Sequence, residues 1–185
     1  WLRIGDWGTT TRGEDTVTKF DGGKVAIDVL ELTGPARLAQ MRIAAADGSA
    51  LDPSDVRMTL VLSDLRALDE RAAAVATEPW PIPVQLTVPA RSQRREDEEI
   101  AGRICSPTSV AMVAAYHGTS VPTAEMASTI LDPHFDIYGN WNRAVQGAYS
   151  YGVPGRLVRV SSWDAVHAYL EAGRPLVASI RAKEG

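Results

Sequence analysis

The chain contains one cysteine, and the residues that follow it are the feature that most directly indicates chemistry. Gly118 ends an apolar pattern of helical spacing that starts just after Cys105; its members are Val110, Val113 and Ala114. Pro107 suits the first turn of a helix, where its missing N–H costs nothing. The pattern therefore predicts a helix that opens at Cys105.

A thiol at a helix N-terminus is suited to nucleophilic catalysis. The unsatisfied N–H groups and the helix dipole favour the thiolate, which is the form that attacks a carbonyl. The alternative is that Cys105 is a small buried apolar residue, as cysteine often is. A single cysteine makes no internal disulfide and supplies no multi-thiolate zinc site, so packing and chemistry both stay open on position alone.

Three short runs around the cysteine help to decide between packing and chemistry for Cys105. They are Val88-Pro89-Ala90-Arg91-Ser92-Gln93, Gly102-Arg103-Ile104-Cys105-Ser106-Pro107-Thr108-Ser109, and Met112 to Gly118. Together they resemble the papain-like cysteine peptidases of the bacterial double-glycine-peptidase type, in which a strand ends in Pro and Gln and a Cys opens an apolar helix that closes with Tyr-x-Gly. The resemblance implies a peptidase fold with Cys105 as the nucleophile.

The same resemblance implies a pair of oxyanion donors. Gln93 matches the glutamine whose side-chain amide donates to the oxyanion, with the backbone N–H of Cys105 as the second donor. Such donors matter because attack by sulfur puts negative charge on the carbonyl oxygen, and losing one donor typically costs on the order of 10²-fold in rate. Two departures are Ser106 in place of the usual Gly and the charged residues 94–99, which widen the Gln-to-Cys interval.

The general base is the part that the resemblance places elsewhere. It puts a histidine, followed by Asp or Asn, on a strand just beyond residues 175–180. We therefore expect the catalytic histidine to lie beyond Gly185, outside this sequence. His117 follows Cys105 by twelve residues of one helix, about 18 Å along its axis. His167 falls within an amphipathic helix, where packing or solvation is its ordinary role. His134 remains the internal candidate.

A second run with possible chemistry is Tyr138-Gly139-Asn140-Trp141, which resembles a segment of extracellular members of the family. These residues are candidates for substrate binding in a groove, or they pack on the core. For Trp141 the packing interpretation is favoured, because a large aromatic beside Gly usually anchors a loop.

The elements that carry these residues indicate two domains. Residues 1–80 have alternating strand patterns at 24–32 and 57–62, with turns at Asp21-Gly22-Gly23 and Asp47-Gly48-Ser49, which predicts an all-β sandwich. The proline-rich run 78–83 marks the boundary. Residues 84–185 predict helices at 124–131 and 163–172 and strands at 157–160 and 176–180. The fold class expected is a partial α+β papain-like domain preceded by the sandwich.

Composition excludes several classes of function. The formal net charge of -4 argues against a nucleic-acid binder, and no apolar run approaches the roughly 20 residues of a membrane span. Thiolate chemistry needs neither metal nor cofactor, so we expect none. The partner expected is a peptide or peptidoglycan-like substrate, and the resembled exported proteins imply an extracellular or cell-envelope location.

The function expected is therefore that of a cysteine peptidase or amidohydrolase. The alternative is a non-catalytic module that binds a cell-surface polymer or a protein.

Overall fold

The described residues of the N-terminal part include a small antiparallel sheet. The computed structural model describes residues 17–27, 29–45, 47–64, 83–160 and 162–179. The strands β1 (Val17–Phe20), β2 (Gly23–Ala26) and β3 (Val29–Leu32) pair in the order β1-β2-β3. The predicted turn at Asp21-Gly22-Gly23 is confirmed, because a two-residue loop joins β1 to β2 and Gly22 adopts φ +94°, a conformation that glycine takes without a steric penalty.

Two strand predictions in this part are wrong. The pattern at 24–32 is two strands rather than one, with a turn at Ile27, whose φ is +42°. Residues 57–62 form no strand, and Met58, Leu60 and Leu62 are each more than half exposed. Alternation predicts a strand only where a second surface covers its apolar face. Within the described ranges a three-stranded sheet is present and a sandwich is not shown.

The other N-terminal predictions concern a second turn and the domain boundary. At Asp47-Gly48-Ser49 the chain does turn, with Gly48 at φ +75°, and the hydrogen bond from the Ser49 backbone N–H lowers the pKa of the Asp47 carboxyl. A single 3₁₀ turn follows at Pro53–Asp55. The proline-rich run 78–82, where the domain boundary was placed, lies outside the described residues.

The C-terminal part is helical. A 3₁₀ turn at Gln93–Arg95 leads into five helices, which are α1 (Glu98–Ala101), α2 (Cys105–Tyr116), α3 (Thr123–Ile130), α4 (Trp141–Ser150) and α5 (Trp163–Glu171). The prediction that α2 opens at Cys105 is confirmed, and Gly118 ends the helix region at φ +87°. The helix predicted at 124–131 is shifted by one residue at both ends relative to α3, and the helix predicted at 163–172 extends one residue beyond α5.

Helix α4 is the longest element that sequence reasoning missed. Its signal is Asn140, whose side-chain oxygen accepts the backbone N–H of Asn142 at 3.1 Å and of Arg143 at 3.4 Å. The buried face that follows consists mainly of small residues, which makes a weaker hydrophobic pattern than Leu or Val; they are Ala144, Gly147 and Ala148.

The core lies among α2, α3 and α4. It contains Val110, Ala111 and Ala114 of α2, Met126 and Ile130 of α3, and Ala144 and Ala148 of α4, closed by Val121 and Val153 from the connecting loops. At Gly147 the helices α3 and α4 approach so closely that an added Cβ would lie 2.7 Å from Cγ1 of Ile130. Glycine is therefore required there by contact rather than by backbone conformation.

The two C-terminal strand predictions are also wrong for the residues described. Residues 157–160 and 176–179 form no strand, and Val158, Val160 and Val177 stay exposed. A β pattern becomes a strand only when another strand pairs with it. The arrangement is a small antiparallel sheet followed by helices, which agrees with the α+β class. No helix in the described ranges is long and apolar enough to cross a membrane.

The contact at Gly147 yields a first prediction. Replacing Gly147 with Ala is expected to lower the free energy of unfolding, because overpacking costs about 1–3 kcal/mol and the gain in helix propensity returns at most about 1 kcal/mol. Urea denaturation followed by circular dichroism measures the change. The control is Gln146→Ala, at an exposed position of the same helix, which should change stability by no more than about 0.5 kcal/mol. A more stable Gly147→Ala protein would contradict the close approach of the two helices.

Candidate active site around Cys105

Cys105 is exposed and is the first residue of α2. The preceding Ile104 is fully buried, so it fixes the start of the helix in the core while the thiol faces outward. No described side chain caps this N-terminus, and Pro107 has no N–H to offer. The backbone N–H groups at the start of α2 are therefore left to act on charge that develops beside the thiol.

Two hydroxyl groups bond to backbone carbonyls at the start of α2. The Thr108 hydroxyl donates to the Ile104 carbonyl at 2.7 Å, and the Ser109 hydroxyl donates to the Cys105 carbonyl at 2.9 Å. These bonds use the carbonyl oxygens of the turn and leave its N–H groups alone. The start of the helix is fixed without a side chain covering the thiol.

Gln93 lies on an anchored segment ahead of the helix. The Arg91 guanidinium donates to the Val121 carbonyl, and the Glu96 backbone N–H donates to the Gln93 carbonyl at 3.1 Å. The Gln93 side chain is half-buried, and no hydrogen bond in the described part of the chain joins it to Cys105. The role of Gln93 and the Cys105 N–H as a pair of oxyanion donors therefore stays a prediction.

A loop at residues 132–138 reaches the start of α2 through Arg103. This arginine precedes Cys105 by two residues, and its Nη2 lies 2.8 Å from Oδ2 of Asp136. The same nitrogen donates to the Asp136 carbonyl, and the guanidinium carbon lies 5.3 Å from the ring centre of Tyr138. These contacts place Tyr138 and Asp136 against Arg103, which precedes the thiol by two residues in the chain.

A buried ion pair between Asp132 and Arg143 holds the base of the loop at residues 132–138. Oδ2 of Asp132, a fully buried residue, lies 3.2 Å from Nε of Arg143 and accepts from Nδ2 of Asn140 at 3.0 Å. Its Oδ1 accepts the backbone N–H of His134 at 3.2 Å and of Phe135 at 3.4 Å. The Arg143 Nε–H is not aimed at the carboxylate, so that contact is ionic rather than a formed hydrogen bond.

The four candidate substrate-binding residues separate into two groups. Asn140 is 4% exposed and its amide binds Asp132 and caps α4, so its role is to hold the framework. The packing interpretation of Trp141 is wrong, since that residue is 57% exposed. Tyr138 is half-buried against Arg103, and Gly139 is exposed. Tyr138, Gly139 and Trp141 remain available to a ligand.

Comparison with known proteins bears on what this surface does. The model of the Peptidase_C39 like family matches residues 85–184, more than half of the chain. The chain belongs to that family. A search of curated proteins and a search of solved structures found no match. Family membership supports a cysteine peptidase-like hydrolase, with the exposed cysteine at the helix start inside the matched range.

In this Peptidase_C39-like region, His117 and His167 lie where the sequence predicts. His117 follows the last residue of the continuous helix α2, so its exclusion on distance stands. Nδ1 of His167 lies 3.5 Å from Glu171 Oε1, one turn along α5. His134 is half-buried with its ring 4.6 Å from that of Phe135. In the described ranges no hydrogen bond joins a histidine to Cys105, and no group of three potential metal ligands occurs.

Three residues around the site escaped sequence reasoning, namely Arg103, Asp132 and Arg143. The Asp132-Pro133 step after an apolar helix was the available signal, because Asp-Pro favours the start of a turn. The partner of Asp132 is eleven residues away on a helix that had not been predicted. Nothing local marks such a pair.

The buried ion pair yields a second prediction. Replacing Arg143 with Met leaves a buried carboxylate without its cation and should lower the free energy of unfolding by about 3–5 kcal/mol. The control is Glu171→Gln, which removes the exposed partner of His167 and should cost about 0.5 kcal/mol or less. Thermal and urea denaturation of both variants provide the comparison. Equal losses in the two variants would show that Asp132 does not depend on Arg143.

Proposed function

We propose that this protein is a cysteine peptidase or amidohydrolase with Cys105 as its nucleophile. The observation that carries the proposal is an exposed thiol at an uncapped helix N-terminus within the region that matches the peptidase family. A buried structural cysteine would have been covered by the core that encloses Ile104 next to it.

The reaction follows from thiol chemistry. The Cys105 sulfur attacks the carbonyl carbon of a peptide or amide, and a tetrahedral oxyanion forms. The Cys105 backbone N–H and the Gln93 amide donate to that oxyanion. The C–N bond breaks, the protonated amine leaves, and water hydrolyses the thioester to release the acid and restore the thiol.

The general base in this proposal is a histidine on a strand C-terminal to residue 180. Such a histidine takes the proton of the thiol and gives it to the leaving amine. The position is the one that family resemblance assigns. His134, on the loop tied to Arg103, is the residue that would take this role instead.

The substrate we propose is a peptide or a peptidoglycan-like polymer, met outside the cell or in the cell envelope. The exposed Trp141 and the half-buried Tyr138, which lies against Arg103, support an extended ligand that packs on aromatic side chains. Residues 1–80 then belong to an accessory unit ahead of the catalytic domain at 84–185.

The nucleophile is tested by Cys105→Ala in the full-length natural protein. Hydrolysis of a quenched-fluorescent peptide library should fall on the order of 10⁶-fold, to background, because no other group makes the covalent intermediate. Iodoacetamide should alkylate Cys105 and abolish the activity of the parent protein. The control is Ser120→Ala, at an exposed position after α2.

Two results would contradict the proposal. Full activity in Cys105→Ala would exclude the thiol as nucleophile. A folded parent protein that hydrolyses nothing but binds a peptide or polymer with the same affinity before and after alkylation would support the binding-module alternative.

The oxyanion role of Gln93 is tested by Gln93→Ala. We expect kcat to fall by about 10²-fold or more, because the lost amide bonds to charge that exists only in the transition state. The Michaelis constant should change little. The control is Gln85→Ala, an exposed glutamine of the same extended segment. An equal effect of both substitutions on kcat would contradict a specific role for Gln93.

A further inference from the structure

Arg103 links the nucleophile helix to the loop at residues 132–138 by three contacts of different kinds. Its guanidinium bonds to the carboxylate of Asp136 and to the carbonyl of the same residue, and it stands over the ring of Tyr138. An exposed ion pair alone contributes little to stability. A guanidinium that also fixes a carbonyl and an aromatic ring instead determines where a loop lies.

Arg103 lies two residues before Cys105, so its contacts are close to the thiol along the chain. The chain geometry keeps its Cα within about 7 Å of the Cα of Cys105, since two peptide units separate them. Ile104 between them is buried, whereas Cys105 is exposed and the Arg103 side chain is 44% exposed. Arg103 and the thiol are therefore both exposed within two residues of each other, and Tyr138 lies against Arg103.

Asp136 is held in a conformation that needs support. Its φ is +48°, in the left-handed region that residues other than glycine seldom adopt and that aspartate tolerates better than most. Both the carboxylate and the carbonyl of this residue bond to Arg103. The buried Asp132 fixes the base of the loop, and Arg103 fixes its outer end.

We propose that Arg103 is a positioning residue that holds the loop at 132–138 as one wall of the substrate groove leading to Cys105, with Tyr138 as the surface that the peptide contacts. This inference rests on the proposed function. The wall contacts a bound peptide before and during reaction alike, so its loss weakens binding rather than the chemical step. The thiol itself is reached by a small reagent without the wall.

The test compares Arg103→Met with Arg174→Met in the full-length natural protein. Arg174 stacks over Tyr169 at 4.6 Å, and the adjoining Gly173 carbonyl accepts from Tyr116, which lies about 16 Å along the axis of α2 from Cys105. Its variant therefore removes a similar contact next to the far end of α2. The probes are iodoacetamide and the best substrate found in the peptide library. Arg103→Met should raise KM about tenfold, the effect of losing one charge-assisted hydrogen bond, with kcat within about threefold.

The remaining readouts separate this proposal from its alternatives. The rate of alkylation of Cys105 by iodoacetamide should stay within about twofold of the parent rate in Arg103→Met, and Arg174→Met should leave all three quantities unchanged. An unchanged KM in Arg103→Met overturns the inference while the peptidase proposal stands. A fall in kcat and alkylation together also overturns it, because Arg103 then acts on the thiol. A parent protein with no hydrolysis removes both proposals.

A second variant covers the case in which Arg103→Met does not fold. Asp136→Asn keeps a residue that tolerates the left-handed backbone and removes only the charge paired with Arg103. It should raise KM by at least about threefold, with the alkylation rate unchanged, since a charge-assisted bond becomes a neutral one. Unchanged KM in this folded variant overturns the proposal.

Discussion

A buried carboxylate is the constraint on which the candidate site depends. Asp132 has no exposed surface, and a charge in that position is tolerated only when cations and N–H groups surround it. Arg143 supplies the cation from α4, and Asn140 supplies an amide from the residue that caps the same helix. The position of α4, its cap and the loop ahead of it are therefore set together.

The loop that follows Asp132 connects the buried ion pair to Arg103, two residues before the thiol. Its base is fixed by N–H groups bonded to the carboxylate, and its outer end is fixed by Arg103, two residues before Cys105. On the opposite side, the contact of Gly147 with Ile130 sets the distance between α3 and α4. The loop is thus placed by a buried ion pair at its base and by the exposed Arg103–Asp136 pair at its outer end.

The sequence predicted the parts of this arrangement that local chemistry specifies. The start of α2 at Cys105 follows from a proline in the first turn and an apolar pattern closed by Gly118, all within fourteen residues. Helix α4 was missed because its buried face is built from Ala and Gly, and the Asp132–Arg143 pair because it joins two elements. The strands expected at 57–62 and 157–160 failed because a strand needs a partner that its own pattern does not identify.

A covalent bond between Cys105 and the acyl part of a substrate is detected most directly by mass spectrometry. The full-length natural protein is mixed with an excess of its best library peptide, quenched in acid within one turnover and digested. We expect an acyl adduct on the fragment that contains Cys105, and this adduct should disappear as product is released. Turnover without an adduct on that fragment, or with the adduct on another residue, would contradict it.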